Sequence, residues 1–324
     1  MTPVTTRPKF DLKPGAATRE AFGKALVELA RENPDVVVCD ADLSKSTFTH
    51  LFAKEFPERF FSCGIAEANM VAIGAGLASS GKIAFVASFS CFAMNKGFEQ
   101  LRVTVAYPQV PLKVVGTHSG ISIGEDGPSQ MSIEDLALAC ALPGFTVISP
   151  ADEIAMGALV RAAAAHPGPV FLRAGRAKAP VVHAPGQTFE IGRAIELIEG
   201  AEVTIISHGL MVAEAIRAAE TLDAEGLSAG VLDMHTIKPL DREAIHRAAA
   251  STGAIVVAEE HLSDAGLGVR VAQAAAETHP CVMEFVGIRD TYAESGTPEG
   301  LLKKYGLVAR EVAAAARRAV ARKR

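Results

Sequence analysis

Short predicted strands, the first of them the β-branched run at 36–39, alternate with helical segments along this chain, and this alternation limits the possible folds more than any other feature. The runs at 59–62 and 83–87 are followed by segments, 65–79 and 92–106, whose apolar residues recur at helical spacing. The same succession continues beyond residue 146. Alternation of this kind is typical of a doubly wound sheet of mainly parallel strands, covered by helices on both faces.

Prolines and glycines near residue 180 predict a boundary between two domains. We expect an arm over residues 1–13, a first α/β domain over 14–180, a linker over 181–190 and a second, smaller α/β domain over 191–324. A length of 324 residues suits this division, because single domains typically hold about 100–200 residues. The expected fold class is therefore two doubly wound α/β domains, of which the first has a mainly parallel sheet.

Composition and charge exclude several classes of protein. The net charge is −5 and no basic stripe is present, which argues against a nucleic-acid partner. No run of about 18 apolar residues predicts a membrane span, and residues 1–13 lack the apolar core of a signal peptide. The five cysteines form no CxxC pair and have no zinc-ligand spacing, so we expect no metal site in this chain and reduced thiols in a cytoplasm.

Polar, aromatic and glycine residues follow the predicted strands of the first domain. These segments are 40–42, 63–67, 88–92, 117–130 and 173–176. The carboxyl ends of parallel strands meet at one edge of a sheet, where ligands of α/β proteins usually bind. The sequence therefore predicts a ligand site at this edge, although ordinary polar loops could produce the same pattern.

Five residues at this edge could carry chemistry. Glu67 lies in the first turn of a predicted helix, where it is either a fixed carboxylate for a ligand nitrogen or only a favourable charge at the helix dipole. Phe89 and Phe92 form either an apolar slot for a flat ring or part of the core. His118 and Asp126 lie in the glycine-rich segment 117–130 and offer polar groups for hydroxyls.

These segments together resemble the transketolase family, with the GEDGP motif at 124–128 as the most specific match. The resemblance covers the family's pyrimidine-binding and C-terminal domains, and it implies thiamine diphosphate as cofactor. It further implies that Glu67 bonds the aminopyrimidine N1′, that Phe89 and Phe92 pack on that ring, and that His118 and Asp126 contact substrate hydroxyls.

The resemblance also implies how a substrate phosphate is bound. Arg176 is similar to the family's phosphate-binding arginine and Ser46 to the hydroxyl near it, with Arg173 as an alternative. A guanidinium suits a phosphate because it can bond two of its oxygens at once.

A partner chain is expected because this sequence contains no GDG motif. In the family, a GDG…N segment binds the metal and, through it, the diphosphate. We therefore expect an N-terminal-type subunit that carries this segment and binds Mg²⁺ or Ca²⁺, so that the two chains share the cofactor in an α2β2 heterotetramer. The reaction implied is transfer of a two-carbon ketol unit from a ketose or ketose phosphate to an aldose.

Two positions depart from the family's usual pattern. Gln130 replaces a second histidine at the end of the glycine-rich segment, and Asn95 replaces a third aromatic residue near the pyrimidine. Glutamine can hydrogen-bond a hydroxyl but cannot carry a proton as imidazole can. We therefore hypothesise that Asn95 lies at the cofactor, that Gln130 lies at the substrate, and that the donor is a non-standard ketose.

Other functions stay open at this point. The chain could be half of a deoxyxylulose-phosphate synthase-like enzyme, the β subunit of a 2-oxo-acid dehydrogenase, or a non-catalytic scaffold subunit. Pyruvate and ketose phosphates, compared as donors, would separate the first two from a transketolase. In the second domain, we interpret the cluster 259–261 (Glu-Glu-His) as structural or interfacial, and the domain as an aid to dimerisation.

Overall fold

The computed structural model describes residues 8–323, so residues 1–7 of the predicted arm and the last residue lie outside the described part. The strands in chain order are β1 (Pro14–Ala17), β2 (Val36–Asp40), β3 (Phe60–Ser62), β4 (Ile83–Phe89), β5 (Lys113–Thr117), β6 (Thr146–Ile148), β7 (Val170–Arg173), β8 (Lys178–Pro180), β9 (Ile195–Ile198), β10 (Val203–Ser207), β11 (Ala229–Asp233), β12 (Thr236–Lys238), β13 (Ala254–Leu262) and β14 (Val282–Ile288).

The helices are α1 (Thr18–Glu32), α2 (Ser44–Thr47), α3 (His50–Glu55), α4 (Glu67–Ser79), α5 (Ser90–Lys96), α6 (Phe98–Gln100), α7 (Asp135–Ala141), α8 (Glu153–Ala165), α9 (Met211–Ala224), α10 (Arg242–Thr252), α11 (Leu267–Thr278), α12 (Pro298–Lys304) and α13 (Ala309–Lys323). A 3-10 turn precedes β3, and a π-helix follows α6.

Two mainly parallel sheets confirm the predicted fold class. The first has the order β12-β6-β7-β5-β4-β2-β3, in which β12 alone runs antiparallel to its neighbour. The second has the order β14-β13-β10-β11-β9, with β9 as the antiparallel edge. The short strands β1 and β8 pair with each other outside both sheets. The predicted domain limits stay a prediction.

Helices cover both faces of the first sheet because its strands are apolar on both sides. Along β4, Phe85 and Ala87 pack in the cluster that contains α1 and α8, while Ala84 and Val86 pack in the cluster that contains α4. Successive side chains of a strand point to opposite faces, so a continuous apolar run fills two cores. This burial fixes the sheet, and with it the edge at which its carboxyl ends meet.

Two local features differ from what the sequence predicted: one helix is interrupted, and one strand was not predicted. The helix predicted over 92–106 begins at Ser90 and is interrupted at Gly97, where a Cβ atom would lie 2.5 Å from the carbonyl oxygen of Ala93. Glycine is a weak helix former, and here its missing side chain permits close packing. Strand β12 was not predicted at all, because it holds three residues and gains its pairing from β6, about 90 residues earlier.

None of the helices in residues 8–323 has the combination of length and apolar character that crossing a bilayer requires.

Asp152 joins the first domain to the segment that leaves it. Its side chain caps α8 by accepting the N–H of Ala155 at 2.8 Å. The other carboxylate oxygen accepts the N–H groups of Val182 and His183 at 2.8 and 2.9 Å. The side chain is completely buried, so each of these donors depends on it.

We expect Asp152→Ala to lower the free energy of unfolding by roughly 2–4 kcal/mol, because three backbone donors lose their acceptor and two of them lie outside the helix. Urea unfolding of the full chain measures this change. Thr297→Ala is the control, since Thr297 caps the exposed start of α12 and its loss should cost only about 1 kcal/mol. Equal losses in the two variants would contradict the linking role.

Candidate active site

Side chains from the ends of β2, β4, β5 and β7 meet at one edge of the first sheet, which we call the rim. A continuous row of contacts runs along the rim from Glu67 to Ser46. Its members, in order, are Glu67, Lys96, Phe92, Phe89, His118, Arg19 and Ser46. The structure therefore brings together residues that are up to 99 positions apart, and it adds Lys96 and Arg19 to those predicted.

Glu67 is the first residue of α4, and only 3% of it is exposed. The N–H groups of a helix start favour a carboxylate in this position. The Lys96 ammonium lies 3.4 Å from the Glu67 carboxylate and 4.5 Å from the centre of the Phe92 ring. This end of the row thus holds a fixed, nearly buried anion beside an aromatic surface.

Phe89 and Phe92 form an aromatic slot. Phe89 ends β4 and Phe92 lies in the first turn of α5, so the strand-to-helix turn places the two rings side by side. Their centres are 5.5 Å apart and their planes differ by 13°. The His118 ring continues this stack at 3.8 Å from Phe89. Near-parallel apolar faces of this kind can hold a flat ring by packing alone.

His118 is held in one orientation and one tautomer. The Thr117 hydroxyl donates to the Ser88 carbonyl, so its oxygen accepts from His118 Nδ1, which lies 2.9 Å away. Nε2 is then the acceptor, and an Arg19 N–H points at it from 3.2 Å. The backbone of His118 has φ 59°, a left-handed conformation that costs a non-glycine residue about 1 kcal/mol or more and is typical of functional sites.

Arg19 was missed by the sequence analysis. It is the second residue of α1, and its guanidinium donates to the Ser46 carbonyl at 2.7 Å as well as to His118. Burial lowers the pKa of Arg19, and the positive charge of Arg176 lowers it further. Arg19 follows a strand end just as the predicted residues do, but that strand, β1, pairs only with the distant β8 and has no sequence signature of its own.

Arg176 and Asp126 complete the charged end of the row. Arg176 is one-third exposed and donates to the Ile123 carbonyl and, at 3.0 Å, to the Glu125 carboxylate. Asp126 is exposed. Its negative charge partly offsets the lowering of the Arg19 pKa, so the two groups are close enough to interact. Two cations and an imidazole thus face a region that an anionic, hydroxylated molecule could occupy.

Arg173, Asn95 and Gln130 have other surroundings. The Arg173 guanidinium is buried and bonded to Asp135 at 2.8 Å, so it is not free to bind a phosphate; of the two arginines, the geometry favours Arg176. Asn95 donates to the Glu134 carboxylate at 2.9 Å. Gln130 accepts a hydrogen bond from the Cys91 thiol through its backbone carbonyl at 3.2 Å. Roles for Asn95 and Gln130 stay predictions.

No group of three or more His, Cys, Asp or Glu side chains within residues 8–323 is arranged to hold a metal ion.

Comparison with known proteins agrees with this fold. Family models described as "Transketolase, pyrimidine binding domain" and "Transketolase, C-terminal domain" match residues 14–181 and 192–312. A putative transketolase C-terminal section of Methanocaldococcus jannaschii is 42% identical over 91% of this chain and 93% of its own length. A 6-deoxy-6-sulfo-D-fructose transketolase subunit of Clostridium sp. is 39% identical over 94% of this chain and 95% of its own length.

A solved structure of a split-gene transketolase, as an inactive beta4 tetramer, superposes with a TM-score of 0.90 and 49% identity over 96% of this chain and 100% of that one. The chain therefore belongs to the transketolase family. Within that family it corresponds to the pyrimidine-binding domain followed by the C-terminal domain.

His118 should stay neutral through the physiological pH range. Burial and the charges of Arg19 and Arg176 lower the pKa of His118 to about 3. We expect its ¹⁵N imidazole resonances to show the Nδ1–H tautomer unchanged from about pH 8 to about pH 5, well across the ordinary histidine range. Arg19→Gln should raise the pKa of His118, because one of the two cations is removed. Protonation of His118 near about pH 6.5 in the unaltered chain would contradict this account.

Proposed function

We propose that this chain is the β-like subunit of a split, thiamine-diphosphate-dependent transketolase. With a partner subunit it would transfer a two-carbon ketol unit from a ketose, or ketose phosphate, to an aldose. The observation that carries the proposal is the position of the buried Glu67 carboxylate next to the slot of Phe89 and Phe92.

This arrangement fits the aminopyrimidine ring of thiamine diphosphate. The ring is flat, which suits two near-parallel phenyl faces, and its N1′ nitrogen can share a proton with a buried carboxylate. Glu67 would hold that proton, and the two phenylalanines would orient the ring and exclude water. When bound, the coenzyme would supply an electron sink for the pair released as the sugar C–C bond breaks.

Lys96 lies beside Glu67 and would have to move when the coenzyme binds. Its ammonium faces Glu67 at 3.4 Å and is about half exposed, so it can turn towards solvent. A long salt bridge to a lysine that is half exposed to water contributes little, about 1 kcal/mol or less. The coenzyme nitrogen would therefore displace Lys96 from Glu67 without a large cost.

The partner would be an N-terminal-type subunit that carries the GDG…N segment and binds Mg²⁺ or Ca²⁺ with the diphosphate. The relatives support this division, since one is described as a C-terminal section, one as a subunit and one as an inactive tetramer of a split-gene enzyme. We propose an α2β2 assembly in which the two chains share the cofactor. We also propose the cytoplasm as compartment, in keeping with five unpaired cysteines.

The charged end of the row would bind the substrate. Arg19 and Arg176 would hold a terminal anionic group, and His118 and Asp126 would contact hydroxyls nearer the reacting carbonyl. His118 Nε2 carries a lone pair, so it would accept a hydrogen bond from a substrate hydroxyl once Arg19 turns to the anion. A sulfonate and a phosphate both present three oxygens to guanidinium groups, and the relative from Clostridium sp. is described as acting on a sulfo-sugar.

The first test is reconstitution with the N-terminal-type partner, thiamine diphosphate and Mg²⁺. We expect ketol transfer with the pair and none above background with this chain alone. Glu67→Gln should lower kcat by about 10²–10⁴-fold, because a shared proton at the coenzyme is lost. Glu225→Gln is the control, since Glu225 is a surface partner of Arg317 in the second domain. Undiminished activity of Glu67→Gln would instead support the scaffold interpretation.

The second test compares donors with a terminal phosphate, a terminal sulfonate and no charge. Arg19→Gln should raise KM for the anionic donors by roughly 10–100-fold and leave KM for the uncharged ketose unchanged, because a charge-assisted bond is lost. Arg161→Gln, which breaks a surface ion pair with Glu32, is the control. Equal changes for charged and uncharged donors would contradict anion binding by Arg19. Ordinary rates with xylulose 5-phosphate and ribose 5-phosphate would exclude the non-standard ketose.

A further inference from the structure

The loop that carries His118 and Asp126 is seated on the second domain. We call residues 117–130 the glycine loop. Its two isoleucines, Ile121 and Ile123, are completely buried in an apolar cluster that is built mainly from β10, α9, α13 and other parts of that domain. The loop therefore owes much of its burial to a domain that contributes no predicted catalytic residue.

Glu260, in the second domain, makes a polar contact with the same loop. It lies near the end of β13, where its carboxylate accepts the backbone N–H of Ser122 at 2.6 Å. The carboxylate also lies against Gly120, where a Cβ atom would be 2.2 Å from the Glu260 carboxyl carbon. Gly120 has φ +79° as well, so only glycine combines this backbone conformation with so close an approach.

The residues just after the glycine loop are tied to the same strand. The N–H of Leu262 donates to the Ile133 carbonyl at 3.0 Å, and the Arg173 guanidinium bonds the carbonyls of Glu260 and Ser132 at 3.0 and 3.2 Å. A backbone bond between Gly120 and Ser132 closes the loop. Strand β13 thus contacts the glycine loop at Ser122 and the chain just beyond the loop at Ile133.

We propose that Glu260 is a positioning residue of the active site, which holds the Ser122 backbone and thereby fixes where His118 and Asp126 stand. The second domain then has a part in substrate binding besides any part in assembly. The kinetic half of this inference rests on the proposed transketolase activity, whereas the structural half, the anchoring of the loop, does not.

Two conservative variants of Glu260 separate the effect of side-chain length from the effect of its charge. Glu260→Gln keeps the length of the side chain and an acceptor oxygen, so the bond to Ser122 persists. Glu260→Asp keeps the charge but is one carbon shorter, so its carboxylate no longer reaches Ser122. Glu259→Asp is the matched control, because Glu259 is also buried on the same strand, but it accepts the N–H groups of Leu267 and Gly268 and lies 3.7 Å from His208, all within its own domain.

Amide hydrogen exchange of the full chain is the first measurement. Glu260→Asp should speed exchange at Ser122 by about tenfold, while Glu260→Gln stays within about threefold of the unaltered chain. Glu259→Asp should speed exchange at Leu267 and Gly268 and leave Ser122 unchanged. Exchange at Ser122 that is unaffected by Glu260→Asp, or equally affected by Glu259→Asp, would overturn the proposal.

Kinetics of the reconstituted complex are the second measurement. Glu260→Asp should raise KM for the ketose donor by about tenfold and leave the affinity for thiamine diphosphate within about twofold, because Glu67 and the aromatic slot lie outside the loop. Equal losses of donor and coenzyme affinity would show a general structural defect and overturn the positioning role. If the unaltered complex shows no ketol transfer, the proposed function fails, and the exchange measurement alone decides whether Glu260 anchors the loop.

Discussion

A buried cation where the two domains meet determines the rest of the structure. Arg173 ends β7 with 5% of its surface exposed, and its guanidinium bonds Asp135 of the first domain and the Glu260 carbonyl of the second. A buried charge that lacks a partner costs several kcal/mol, so the end of β7, the start of α7 and the end of β13 must be in place together. The rim and the glycine loop are built on this junction, and their geometry follows from it.

Upon this junction the chain builds the part of the active site that we propose for it. At one end of the row, Glu67 and the aromatic slot suit one flat, basic ring; at the other end, Arg19 and Arg176 suit an anion. His118 lies between the two ends, neutral because burial and its cationic neighbours lower its pKa. The order of these groups suits the proposed reaction, in which the coenzyme ring would bind at one end of the row, the charged group of the sugar at the other, and His118 would contact the sugar between them.

The sequence predicted the rim because that depends only on strand order: parallel strands end together, and the residues after them converge. The sequence could not show which of Arg173 and Arg176 is available to a ligand. The two arginines are three positions apart, yet Arg173 is buried against Asp135 and Arg176 is exposed at the rim. Arg19 was missed because β1 pairs with a strand more than 160 residues away, and β12 because its partner lies across the linker. The cluster at 259–261 had polar residues but no local sign that Glu260 reaches the glycine loop. Contacts over long sequence distances thus account for what was not predicted.

The most direct measurement is an experimental structure of this chain with its N-terminal-type partner and thiamine diphosphate. The account predicts the Glu67 carboxylate within about 3 Å of a pyrimidine nitrogen, the ring packed on Phe89 and Phe92, and Lys96 turned away from Glu67. It also predicts that metal and diphosphate are bound by partner residues. A coenzyme whose pyrimidine ring lies elsewhere, or whose diphosphate and metal are held by this chain, would contradict the account.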